Sequence, residues 1–133
     1  MVNFTNISDH LLEAIPEINS IYREHLVDYD SVLNYILFEQ LFQFIMNPQL
    51  GGGTEKEAVR DDLFDRVSIF METALESNDD SVRNLVAVSF LEPLLLYDGP
   101  ESLVLLDKLG PKSRTLYKIV EDYFSKNGLA SGT

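Results

Sequence analysis

The chain has 133 residues, 45% of them apolar, with 8 Phe, 6 Tyr and no cysteine. That suffices for one domain with a real core, and it excludes a disulfide framework, thiolate metal sites and a cysteine nucleophile. The net charge of −12 is laid out unevenly: residues 1–100 hold 18 Asp/Glu against 5 Lys/Arg, and residues 101–133 hold 4 against 5. Such a surface repels nucleic acid and membranes and attracts basic partners, with association that weakens as salt rises.

Periodicity is helical nearly throughout, and no stretch alternates at period two. A first helix is expected from Ser8 to about Ile15. Pro16 fits the first position of a second, running to about Val27, with Ile18, Ile21, Tyr22 and Leu26 on its inner face. Asp30 or Ser31 is placed to cap a third helix ending at Met46. Leu33, Leu37, Phe38, Leu41, Phe42, Phe44 and Ile45 cover most of its circumference, the pattern of a central helix. Asn47-Pro48 ends it, and Gly51-Gly52-Gly53 connects to a fourth helix announced by the capping box Thr54…Glu57 and running to about Glu76. A fifth spans Ser81 to about Leu96, where Pro93 is expected to kink it or end it early. Gly99-Pro100 opens a sixth, stopped by Gly110. Pro111 opens a seventh to about Lys126, with Leu116, Ile119, Val120, Tyr123 and Phe124 inward, and residues 129–133 form a short frayed tail. The predicted fold is a single all-α domain over residues 1–133, a compact antiparallel array of about seven helices with HEAT-like pairing as one possible arrangement.

No basic segment followed by an apolar one opens the chain, so no signal peptide is expected. The apolar stretches 33–46 and 82–97 are broken by polar residues and fall short of the roughly 20 residues a membrane span needs. The reading is a soluble protein of the cytoplasm.

The most informative local pattern lies on the fourth helix. With Glu57 at 0°, Asp61, Asp65, Glu72 and Glu76 fall at about 40°, 80°, 60° and 100°. Five carboxylates therefore share one stripe, opposite Val59, Leu63, Val67, Phe70, Met71 and Ala74. Pairs four apart repel by about 0.2–0.5 kcal/mol each, and Arg60 and Arg66 at the flanks relieve only part of this. A solvated helix face accounts for the stripe. So does a docking surface for a basic partner, where binding relieves the repulsion. A second acidic group lies in turns, Asp28-Tyr29-Asp30 and Asn78-Asp79-Asp80. Asp30 and Asp79 have ordinary work as helix caps, yet if both turns meet at one end of the array they extend a contact surface with Tyr29 as an anchor.

Other chemistry finds little support. Asp28–Asp30 lacks the further oxygen ligands of a calcium loop. His10 and His25 are the two histidines, and His10 with Glu13 reverses the order a di-iron helix pair needs, so surface or cap roles are expected. The triple glycine lacks the Lys-Ser/Thr of a phosphate loop, and no Gly-x-Ser-x-Gly is present. No catalytic residue, metal or cofactor is assigned. Lys108, Lys112, Arg114 and Lys118 gather around the last interhelical turn, where pairing with the acidic body is expected.

Two stretches carry a family resemblance: Asp79-Asp80-Ser81-Val82-Arg83-Asn84-Leu85-Val86-Ala87-Val88-Ser89-Phe90-Leu91-Glu92, and Leu109-Gly110-Pro111-Lys112-Ser113-Arg114. They resemble short acidic helical bacterial proteins, some of which look like the immunity proteins of contact-dependent-inhibition and other polymorphic toxin systems. The resemblance implies a cytoplasmic protein that neutralises a cognate toxin, often a basic nuclease, by covering its active site. The expected function is therefore binding of a basic toxin domain, with a ribonuclease the expected case and neither nucleic acid nor membrane as partner. The contact set expected from charge is Glu57, Asp61, Asp65, Glu72 and Glu76, then Asp28, Tyr29, Asp30, Asp79 and Asp80. The alternatives are a HEAT-like adaptor holding a peptide in an apolar groove and a small metal-dependent enzyme.

Overall fold

The computed structural model describes residues 1–47 and 57–126. The Thr54…Glu57 capping box, the Gly51–Gly53 connection, the 129–133 tail and the Glu57 and Val59 side chains lie outside the described residues. Within them the fold is all-α, without a strand. In chain order come α1 (Ile7–Ala14), a 3₁₀ turn (Pro16–Ile18), α2 (Asn19–Tyr29), α3 (Asn34–Met46) and α4 (Glu57–Leu75). They are followed by α5 (Asp80–Val86), a π turn (Ala87–Leu91), α6 (Glu92–Leu96), α7 (Glu101–Lys108) and α8 (Pro111–Lys126). No described helix is long and apolar enough to cross a membrane.

The helix predicted to be apolar all round is the central one. Leu37, Phe38, Leu41, Phe42, Phe44, Ile45 and Met46 of α3 are all buried. The Phe42 ring meets Phe90 of the π turn edge-on at 5.6 Å and Tyr97 at 5.9 Å, and Phe38 meets Phe70 of α4 at 6.1 Å. Burying one such ring contributes about 1.5–3 kcal/mol, so α3 is the main hydrophobic anchor of the fold. Tyr97 also donates its hydroxyl to the Met46 carbonyl at 3.2 Å, closing one of the open acceptors at the end of α3. On α4, Leu63, Val67, Phe70, Met71 and Ala74 are buried as the amphipathic pattern requires.

Pro93 neither ends nor breaks the fifth predicted helix. Residues 80–96 form one helical rod in which the turn before the proline is widened, so that the Glu92 N–H donates to the Ala87 carbonyl five residues back. A proline cannot donate to the residue four before it, and its ring crowds that carbonyl. The wider turn accommodates both problems while Phe90 stays locked in the core.

Three further expectations change. Pro16 opens a 3₁₀ turn rather than α2 itself, which starts at Asn19 and runs on to Tyr29. Leu26 is not inward: α2 is an edge helix whose one fully buried side chain is His25. Ile119 and Tyr123 are also half-exposed, because α8 buries only the narrower stripe Ser113, Leu116, Val120 and Phe124.

Candidate partner-binding site

The carboxylate stripe of α4 is largely engaged inside the molecule. Asp61 pairs with Arg60 at 3.4 Å, and Asp65 with Lys108 at 2.8 Å. Glu72 reaches the start of α8, where it accepts from the backbone N–H of Lys112 (3.1 Å) and of Ser113 (2.7 Å) and from the Ser113 hydroxyl (2.8 Å). Burial pushes the Glu72 carboxyl up, but these hydrogen bonds outweigh it and hold the group below its usual range. Glu76 is exposed beside the turn that leads to α5, and the Glu57 side chain lies outside the described residues. Arg66 is drawn away from the stripe. It forks onto Glu17 with both terminal nitrogens and donates to Asp62 at 3.0 Å, and the Glu17 carboxyl is held low by that bond. The like-charge repulsion foreseen on this face is thus met mostly by the protein's own cations and by a helix N-terminus.

The basic residues near α8 divide their roles. Lys108 pairs with Asp65, whereas Arg114 donates to the Leu109 and Asp107 carbonyls, both at 2.7 Å, and closes the end of α7 instead of meeting a carboxylate.

The N-terminal segment links the second acidic turn to the start of α3. Asp79 caps α5 by accepting from the Ser81 N–H at 2.9 Å, and its second oxygen accepts from the Phe4 N–H at 2.9 Å. These donors hold its carboxyl low. The Phe4 carbonyl in turn accepts from the Asn34 side-chain amide at 2.7 Å, at the first residue of α3. Asn84 of α5 donates to the Tyr35 hydroxyl at 2.6 Å. Asp28, Tyr29, Asp30 and Asp80 are exposed, while Asp79 is committed to its cap.

The α2–α3 corner is organised from beneath by His25. Its ring is fully buried, with Nδ1 donating to Gln40 Oε1 at 2.9 Å and Nε2 accepting from the Leu33 N–H at 2.9 Å. A surface role for His25 is thereby corrected: it satisfies a backbone donor left open where α3 begins. Asp30 does not cap α3. It closes α2 in the left-handed conformation, φ 58°, and Leu33 stands in the cap position before α3.

Above His25 the corner exposes apolar area in quantity. Val27 is 83% exposed, Tyr29 42%, Leu33 40% and Leu26 36%, all within eight residues and interleaved with Asp28 and Asp30. The Tyr29 ring rests on His25 at 4.9 Å. No Lys or Arg occurs between Arg23 and Lys56. Behind the corner a groove between α2 and α3 is lined by Ile21, Glu24, Tyr29, Ile36, Glu39 and Gln43, among others. Charge reasoning singled out Asp28, Tyr29 and Asp30 at this corner, but not the exposed Leu26, Val27 and Leu33 or the groove carboxylates Glu24 and Glu39 beside them. The long cation-free stretch was the available signal for them. Among the described residues no group of three His, Asp or Glu is arranged to hold a metal ion.

Residues 8–125 match the model of a family described as Domain of unknown function (DUF7674), and the chain belongs to that family. No curated protein and no solved structure matches it.

Proposed function

We propose that this member of the DUF7674 family is an immunity protein of the cytoplasm, which binds and neutralises a cognate basic toxin domain, a ribonuclease being the expected case. The observation that carries the reading is the α2–α3 corner: four exposed apolar side chains set among carboxylates, on a stretch with no cation. Apolar anchors ringed by charge are the composition of a protein interface rather than of a solvated face. Carboxylates there stand in for substrate phosphates opposite the toxin's Lys, Arg and His side chains. Asp80 and Glu76 add exposed carboxylates around the turn before α5, and the α4 pairs Asp61–Arg60 and Asp65–Lys108 offer carboxylates that exchange partners on binding. The role is binding, not catalysis.

The test is co-purification with the protein encoded next to this one, at low and at high salt. The reading expects a stable complex whose affinity falls steeply as salt rises. The reading fails if no neighbouring product binds, or if binding is indifferent to salt and to charge reversal at Asp28 and Asp30. Reversal at Asp61 and Asp65 separates the α4 face from the corner.

One further observation favours an adaptor. Val88, Ile119 and Tyr123 are exposed along a groove between the 80–96 rod and α8. A peptide held there by apolar contact would bind with little dependence on salt.

A further inference from the structure

We infer that the groove between α2 and α3 receives an extended segment of the basic partner, with a lysine or arginine side chain seated between Glu24 and Glu39. The inference rests on the reading of this protein as a binder of a basic partner and names where that partner's cation goes. Glu24 stands on α2 and Glu39 on α3, and both line the groove, one from each helix. Neither forms an ion pair, although four ion pairs form elsewhere among the described residues. No Lys or Arg is among the described residues that line the groove. Ile21 and Ile36, both half-buried, line the same groove and offer apolar contact to a side chain's stem.

The chemistry selects the occupant. Two unpaired carboxylates repel a phosphate chain, and two carboxylates alone supply too few oxygens for a calcium ion. A long cationic side chain fits both features at once, its stem on the isoleucines and its head between the acids. Gln43, exposed on the α3 wall, has an amide with both donor and acceptor to hold a peptide backbone in passing.

The test is an NMR titration of the full chain with two synthetic peptides of equal length, one alternating Ile with Lys and Arg, the other alternating Ile with Glu. The expected result is shifts at the Ile21 and Ile36 methyls and the Gln43 amide with the basic peptide alone, weakened about tenfold or more by the double variant Glu24→Gln/Glu39→Gln. Failure of the basic peptide to shift these signals overturns the inference. So do shifts centred on α4 or α8, equal response to the acidic peptide, and equal affinity of the double variant. If the double variant still captures the neighbouring protein at full strength, the groove inference falls while the basic-partner reading stands. If the wild-type chain captures no such protein at all, the reading itself falls.

Discussion

Glu72 on α4 caps α8 from outside, its Oε2 accepting both the backbone N–H and the hydroxyl of Ser113 at 2.7 and 2.8 Å. A charge-assisted cap at a helix N-terminus also faces the positive end of the helix dipole. Replacing Glu72 by Ala should lower stability by about 1–2 kcal/mol, read as a shift in the urea midpoint at neutral pH. Because the folded carboxyl titrates below the ordinary 4.5, its contribution is complete above that value and disappears as pH falls through the lower folded value. The gap between wild type and variant should therefore close in acid. A gap that is unchanged at pH 3 would show that packing, not the carboxylate, is what the substitution removed.

Gly110 makes this contact possible. A Cβ placed there would lie 2.4 Å from both Cγ and Cδ of Glu72, so even alanine must expel the capping side chain. Gly110→Ala alone should cost about as much as Glu72→Ala, roughly 1–2 kcal/mol, because both lose the same cap. Combined with Glu72→Ala the added cost should vanish, since the obstructing atoms are gone and alanine restrains the unfolded chain more than glycine does. A double-mutant cycle in urea measures this directly, and strict additivity would contradict it.

What sequence reasoning could reach was local. The all-round apolar surface of α3 foretold its central place, and Asp79 before Ser81 foretold a cap. Glu72 sits on the same stripe as Asp61 and Asp65 by angle, yet its partner is 41 residues away on α8. Nothing in the helix's own periodicity distinguishes a carboxylate aimed at solvent from one aimed at another helix's first turn. The exposed corner escaped for a related reason. The spacing of Ile18, Ile21, Tyr22 and Leu26 marks one apolar face, but whether a neighbour covers its far end depends on where the other helices dock. Pro93 signalled a disturbance correctly, while the helix continues past it through a widened turn whose Phe90 packs against Phe42 of α3, a contact far off in the chain.

His25 is the internal support of the proposed interface, so its loss should be felt twice. His25→Leu leaves the Leu33 N–H and the Gln40 carbonyl oxygen without their partners. A buried donor without a partner costs about 1–3 kcal/mol, and the thermal midpoint should fall accordingly. The Leu33 amide should lose hydrogen-exchange protection, and affinity for the basic partner should drop because Tyr29 rests on this ring. An unchanged Leu33 exchange rate would show that water serves the N–H as well as the imidazole does.

Asp30 offers the opposite kind of test, in which removing a carboxylate stabilises the fold. It is the one non-glycine residue with positive φ among those described, 58°, where it ends α2 with its N–H donating to the Leu26 carbonyl at 2.9 Å. A side chain in this region strains the backbone, and glycine occupies it without penalty at helix ends. Asp30→Gly should raise stability by about 0.5–1 kcal/mol, and Asp30→Val should lower it by at least as much, since a β-branched residue tolerates this conformation least. If Asp30 serves binding, the glycine variant gains stability and loses partner affinity together, most of all at low salt. Stability and affinity rising in parallel would instead assign Asp30 to the turn alone and leave the contact to Asp28, Tyr29 and their apolar neighbours.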